Sequence, residues 1–148
     1  MISTAPVSQH HINEILVGLR AADKFTSLRD FTPDETIEWV IKKSFFTQTI
    51  FFRGKLGVIW GLQTKSLVDP YGYIWMLTTN IVEEHPKAFL RKSKTITRQA
   101  LQACPILRCH VDMAHVKSHD WLIWLGFKTL GIESIDEKPY WVMELRAE

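Results

Sequence analysis

The sequence predicts an α/β (α+β) domain: one layer of mixed sheet with helices on both faces. Three observations predict it. Segments whose apolar residues recur at steps of three and four interleave with short runs rich in β-branched and aromatic residues, so helices and strands alternate. No linker, repeat or low-complexity stretch interrupts that alternation. The chain has 148 residues, 46% of them hydrophobic and 23% charged, which suits one domain, residues 1–148, that buries roughly 70% of its unfolded surface.

Each element has a local reason. The first seven residues can supply an extra strand. In QHHINEILVGLRAAD, Ile12, Ile15, Leu16 and Leu19 fall on one face of a helix. DFTPDETIEWVIKKS carries a start signal, with Thr32 as N-cap, Pro33 at the first helical position and Glu35 three residues after the cap; Ile37, Val40 and Ile41 form its apolar side. FFTQTIFF and LGVIWGLQT flank the glycine-containing turn RGK and read as a β-hairpin, after which DPYGYIWMLTT runs from turn residues into a strand over 73–79. HPKAFLRKSKTITRQALQAC is a long helix with Pro86 near its start. Phe89, Ile96 and Ala100 share one side of it, and Lys87, Arg91, Lys94 and Arg98 form a basic stripe opposite, with Lys92 beside them. PILRCHVDM reads as a strand. SHDWLIWLGFKTL is a short helix stopped by Gly126 in a left-handed conformation, with Phe127 entering a strand and the aromatic bulk seating the helix. KTLGIESIDEKPYWVMEL supplies two strands around a turn at Asp136 to Pro139.

Composition removes several function classes. Six Trp and eight Phe predict an aromatic-rich core, with Trp60, Trp75 and Trp141 on strands expected inside it. Cys104 and Cys109 are too few for a disulfide framework and lack zinc spacing, which points to a reducing compartment, the cytosol. MISTAPVSQHH has no basic start followed by an apolar run, and no window is long and apolar enough to span a bilayer, so neither export nor a membrane partner is expected. A net charge of +2 disfavours nucleic acid.

Candidate chemistry is sparse. His110, His115 and His119 cluster around the fifth strand, where a histidine can act as a base near neutral pH; scattered surface histidines explain them too. No acidic or cysteine pattern completes a metal site with them, so no metal is expected. Cys109 and His110 are adjacent on a strand and point to opposite faces, so they cannot share a proton and Cys109 is expected to be inert packing. The basic stripe can hold phosphates or be a solvated helix face. Trp121 and Trp124 can anchor a partner, with core packing expected for at least one of them.

HVKSHDWLIWLGF, with Trp121, Leu125, Gly126 and Phe127 in place, resembles the last helix of the GNAT acyltransferases, which commonly reads Asn-x-x-Ala-x-x-Leu-Tyr-x-x-x-Gly-Phe. The element order is similar over nearly the whole chain. A closer resemblance is to a GNAT-like family of short-tailed lytic phages that includes an internal virion protein. There a W-x-L-T-[ST] strand, a Lys/Arg-rich helix, a strand and an LGF-ended helix follow one another, as WMLTT, FLRKSKTITRQ and WLIWLGF do here. The resemblance implies a mostly antiparallel sheet splayed between the fourth and fifth strands, and acetyl-CoA as cofactor. It assigns Met76, Leu77, Thr78 and Thr79 to the pantetheine arm and Arg91, Lys92 and Lys94 to the phosphates. His115, Asp112 or a bound water is the implied base, and backbone N–H groups of Leu77 to Thr79 polarise the carbonyl.

The chain departs from the family at the pyrophosphate loop. That loop normally carries glycines whose N–H groups close on phosphate; here no glycine lies between Gly72 and Gly126, Glu83 and Glu84 would repel phosphate, and Pro86 lacks an N–H. The usual Tyr falls on Leu122 and the usual Asn on His115. Two functions follow as expectations: a phage-encoded acyl-CoA-dependent N-acetyltransferase acting on a host protein or metabolite, or a catalytically silent module binding a host or virion protein, in the host cytoplasm or the virion; RNA binding through the basic helix is a third, weaker reading.

Overall fold

The computed structural model describes residues 1–18, 33–66 and 68–147. Its elements are β1 (Ile2–Ala5), α1 (Gln9–Gly18), α2 (Pro33–Lys43), β2 (Phe46–Phe52), β3 (Lys55–Gln63), β4 (Tyr71–Thr78), α3 (Ile81–Glu84), α4 (Pro86–Ala103), β5 (Ile106–Asp112), α5 (Val116–Leu125), β6 (Lys128–Ile135) and β7 (Lys138–Arg146). The strands form a seven-stranded mixed sheet in the order β1-β2-β3-β4-β5-β7-β6. β1–β2, β2–β3, β5–β7 and β6–β7 pair antiparallel, and β4–β5 pair parallel. A parallel pair needs a long crossover, and α4 is that crossover.

The predicted order is observed, and the optional first strand is present as β1. β4 begins two residues before the expected 73–79 strand, because Asp69 Oδ1 accepts the Tyr71 N–H at 2.9 Å and closes the turn early. α3 was expected as loop and is a single helical turn. Pro33 opens α2 as predicted; Leu19 and the N-cap Thr32 lie outside the described residues.

The chain divides into two compact units, residues 1–63 with 75–90 and residues 64–74 with 91–148. In the first, Ile12 and Ile15 of α1, Ile37 of α2, Leu56 and Ile59 of β3 and Leu77 of β4 form one buried cluster. β3 is buried along most of its length, so both of its faces are covered. Leu56 and Ile59 share a face only because β3 carries an extra residue, Gly57: Ile50 lies opposite Val58 but Phe51 lies opposite Leu56. A side chain is excluded there, since a Cβ on Gly57 would come within 2.4 Å of the Phe52 ring. Trp60 is fully buried and donates its indole N–H to Gln48 Oε1 at 3.0 Å. Trp75 is only half-buried and donates to Ser44 Oγ at 2.8 Å.

In the second unit, α4 buries Ser93, Ile96, Thr97 and Ala100 and exposes Arg91, Lys94 and Arg98, so the predicted stripe is on the solvent side. α5 ends as the sequence predicts. Gly126 has φ 105°, its N–H bonds the Ile123 carbonyl, and the Phe127 N–H bonds the Leu122 carbonyl, each at 3.0 Å. These two bonds satisfy the last carbonyls of the helix, and only glycine takes that φ without strain. The aromatic residues do not all seat this helix. Leu122 is its buried residue, Trp121 is half-buried, and Trp124 stays 48% exposed with Lys94 Nζ 4.6 Å from its ring centroid. Among the described residues, no helix is long and apolar enough to cross a membrane.

Candidate functional site

In the first unit the residues that matter surround the end of β4. The Thr79 N–H donates to the Gly57 carbonyl at 2.9 Å, and Thr79 Oγ1 donates to the Leu56 carbonyl at 2.8 Å. Thr79 is therefore tied to the bulge of β3. Backbone groups alternate in direction along a strand. With Thr79 turned to β3, Leu77 turns the same way, and Met76 and Thr78 turn their amides to the other edge. The opposite end of β4 gives the same phase: the Ile106 N–H donates to the Pro70 carbonyl at 3.2 Å, so even-numbered positions face β5. The β4–β5 ladder pairs Tyr71, Gly72 and Tyr73 with Ile106, Leu107 and Arg108, while β4 itself continues to Thr78. Leu77, Thr78 and Thr79 are buried and Met76 is half-buried.

The connection that follows turns in on itself. Ile81 N–H donates to Thr79 Oγ1 at 3.3 Å, Val82 N–H to the Thr79 carbonyl at 3.3 Å, Glu83 N–H to Asn80 at 3.0 Å and His85 N–H to Val82 at 3.3 Å. At the start of α4 the Phe89 N–H donates to the His85 carbonyl at 2.9 Å. These amides already have acceptors, Pro86 has none to offer, and the side chains of Glu83 and Glu84 are exposed. The donor set fits an amide-bearing chain along β4. The amides of Ile81, Val82, Glu83, His85 and Phe89 are already committed to acceptors within the connection.

Also in this unit is a cleft of about 580 Å³ whose lining includes His10, Asn13, Glu14, Lys55 and Thr79. The sequence did not announce it, because α1 contributes its polar side there and reads as an ordinary solvent face.

In the second unit Arg91 is exposed and Lys92 half-buried, while Lys94 is engaged with Trp124. At the end of β5, Asp112 Oδ1 accepts the Ala114 N–H and the Asp112 carbonyl accepts the His115 N–H, each at 2.9 Å. His115 is the residue before α5, half-buried, and its imidazole makes no capping hydrogen bond. The other two histidines of the cluster have partners: His110 Nε2 meets Glu133 Oε2 at 3.0 Å, and His119 Nε2 meets Thr129 Oγ1 at 2.9 Å with its ring 4.1 Å from that of Trp141. Desolvation pushes the Cys109 thiol up to about 12, so it stays protonated at neutral pH. No group of three or more His, Cys, Asp or Glu side chains that could hold a metal occurs among the described residues.

One cluster escaped the sequence. Glu144 on β7 is buried and accepts from Arg108 Nε at 2.8 Å and from Arg146 Nε at 2.6 Å, and Arg108 lies 4.3 Å from the Tyr71 ring centroid. The hydrogen bond from Arg108 above all, supported by Arg146 and both positive charges, holds the Glu144 carboxyl below its ordinary range, against the opposing effect of burial. Arg108 and Glu144 lie opposite each other on β5 and β7, so the cluster braces the root of the strand that carries Asp112.

No protein-family model and no curated protein matches this sequence. Solved structures do. The chain is similar to the GNAT-family acetyltransferase of Streptococcus pneumoniae (TM-score 0.65, 14% identity, 99% of this chain and 100% of that one). It is also similar to the ribosomal-protein-S5-alanine acetyltransferase of Vibrio fischeri (0.72, 11%, 98% and 92%). A third likeness is to an aminoglycoside acetyltransferase in complex with coenzyme A (0.71, 9%, 99% and 95%). At these identities the likeness establishes the GNAT fold.

Proposed function

We propose that the chain is an acyl-CoA-dependent N-acetyltransferase, phage-encoded and directed at a host protein or metabolite. The fold supports the reaction class; the likeness of WMLTT, FLRKSKTITRQ and WLIWLGF to the phage family supports the setting. The observation that carries the reading is the end of β4, where Thr79 is tied to the β3 bulge and the amides of Met76 and Thr78 turn away from β3. Acetyl-CoA supplies an activated acyl thioester. In the first unit, the strand from Met76 to Thr79 would lie along the amide-bearing pantetheine arm, with buried Leu77 and tethered Thr79 fixing its direction. In the second unit, Arg91, Lys92 and Lys94 would neutralise phosphates through side chains. His115 would take the amine's proton on an imidazole nitrogen, with Asp112 shaping the turn that presents it.

The closed connection from Thr79 to Phe89, with Glu83 and Glu84 outward, favours a second reading: a GNAT-fold module that binds a host or virion protein without catalysis. One assay separates the two. Labelled acetyl-CoA incubated with the chain and a panel of primary amines and lysate proteins should give transfer that falls by about 10²-fold or more in His115→Ala, the scale of a lost general base. The His115→Ala chain should still bind acetyl-CoA. Absence of transfer to any acceptor, with no acetyl-CoA binding, would leave the silent module.

A further inference from the structure

β6 ends the sheet, and seven of its eight residues are exposed, including Leu130 at 53% and Ile132 at 63%. Beside it on α5, Ile123 is 45% exposed, one turn after His119, which bonds Thr129. The strand has no proline and a single lysine, so it lacks the usual protection of a sheet edge apart from one bulge.

The direction of its backbone groups follows from the β6–β7 hairpin. Asp136 and Glu137 both have positive φ, 47° and 67°, which marks a two-residue turn whose flanking pair, Ile135 and Lys138, is hydrogen-bonded. Counting back, Glu133 and Gly131 face β7, and Ser134 and Ile132 face the open side. The register shift between Thr129 and Gly131 adds one residue, so Thr129 faces the open side as well. Side chains follow their β7 partners. Lys128 and Glu133 lie on one face, opposite Glu144 and Tyr140; Thr129 and Ile132 lie on the other, opposite Met143 and Trp141.

We propose that β6 pairs antiparallel with β6 of a second copy about a twofold axis at Leu130–Gly131, making a homodimer with one sheet continuous across it. In this register Thr129 meets Ile132 of the second copy, and both turn their backbone groups toward each other. Lys128 meets Glu133 of the second copy on the same face; Glu133 Oε2 serves His110, and Oε1 is left for the lysine. Leu130 meets Gly131, around whose missing side chain nothing lies within 4 Å. Symmetry makes each relation occur twice. Centring the pair on Glu133 instead sets that carboxylate against itself, and a shift of one residue sets inward-facing against outward-facing backbone. Charge complementarity of Lys128 with Glu133 singles out this register, and a strand complementary to itself takes a second copy of the chain as its occupant.

Sedimentation velocity from micromolar to millimolar protein tests this. The unmodified chain should dimerise. Lys128→Glu alone and Glu133→Lys alone should each raise the dissociation constant by about tenfold, because both symmetric pairs become like-charged. The combined exchange should return it to within about threefold of the original. Ile132→Pro removes an N–H aimed at the second copy and not at β7, so it should abolish the dimer while circular dichroism stays native. A chain monomeric at millimolar concentration, including one that takes up a foreign strand at β6, would overturn the proposal. So would a dimer that survives folded Ile132→Pro, or a combined exchange that fails to recover it.

Discussion

The two units fix their functional strands by different physics. In the first, β4 is held at its end by neutral hydrogen bonds: Thr79 gives its N–H to Gly57 and its hydroxyl to Leu56, and accepts the Ile81 N–H. In the second, β5 is held at its root by charge, through Arg108, Glu144 and Arg146. The difference is one of reach: the Thr79 bonds depend on short neutral contacts, the Glu144 cluster on charge. The amides of Val82, Glu83 and His85 are taken up within the α3 turn, and α4 carries exposed positive charge at Arg91, Lys94 and Arg98.

The contrast can be broken first at Thr79. Thr79→Val keeps the shape but leaves the Leu56 carbonyl without its donor and the Ile81 N–H without its acceptor. It should cost about 2 kcal/mol in urea unfolding, the scale of buried groups left unpaired. No ionisable group takes part, so the loss should be the same at pH 5 and pH 7.

A smaller and pH-dependent effect is expected at Glu144. Its folded-state pKa is lowered, so its contribution is present above the unfolded value of about 4.3 and is lost as pH falls through the folded value. Because both arginines reach solvent, Glu144→Gln should cost only about 1 kcal/mol at neutral pH. Unfolding midpoints measured from neutral to strongly acidic pH should show the wild type converging on the variant as Glu144 becomes protonated. A constant gap would mean that the carboxylate is not held by charge.

The sequence made the regular elements legible because they rest on local chemistry: the hairpin on its glycine turn, α4 on its seven-and-four spacing, and the stop of α5 on Gly126. α3 was hidden. Asn80, Ile81 and the two glutamates carry no periodic pattern over four residues, and their helical turn depends on Thr79 accepting the Ile81 N–H. The Arg108–Glu144–Arg146 cluster was hidden for another reason: Arg108 is 36 residues from Glu144, and the two meet only through β5–β7 pairing. The phase of β4, which turns Met76 and Thr78 outward, likewise needed a hydrogen-bond partner on β3 to set it. Sequence could name those residues by resemblance, not aim them.

On the proposed reading, β4 offers acetyl-CoA its backbone and side chains of α4 meet its phosphates. Titration calorimetry with acetyl-CoA tests it most directly. Binding should be weak, should weaken further as salt rises from roughly 0.05 to 0.5 M because exposed charges are screened, and should vanish when Arg91, Lys92 and Lys94 are all replaced by Ala. Affinity indifferent to salt and to that triple replacement would contradict this reading, since phosphate would then be held by backbone amides and not by exposed cations.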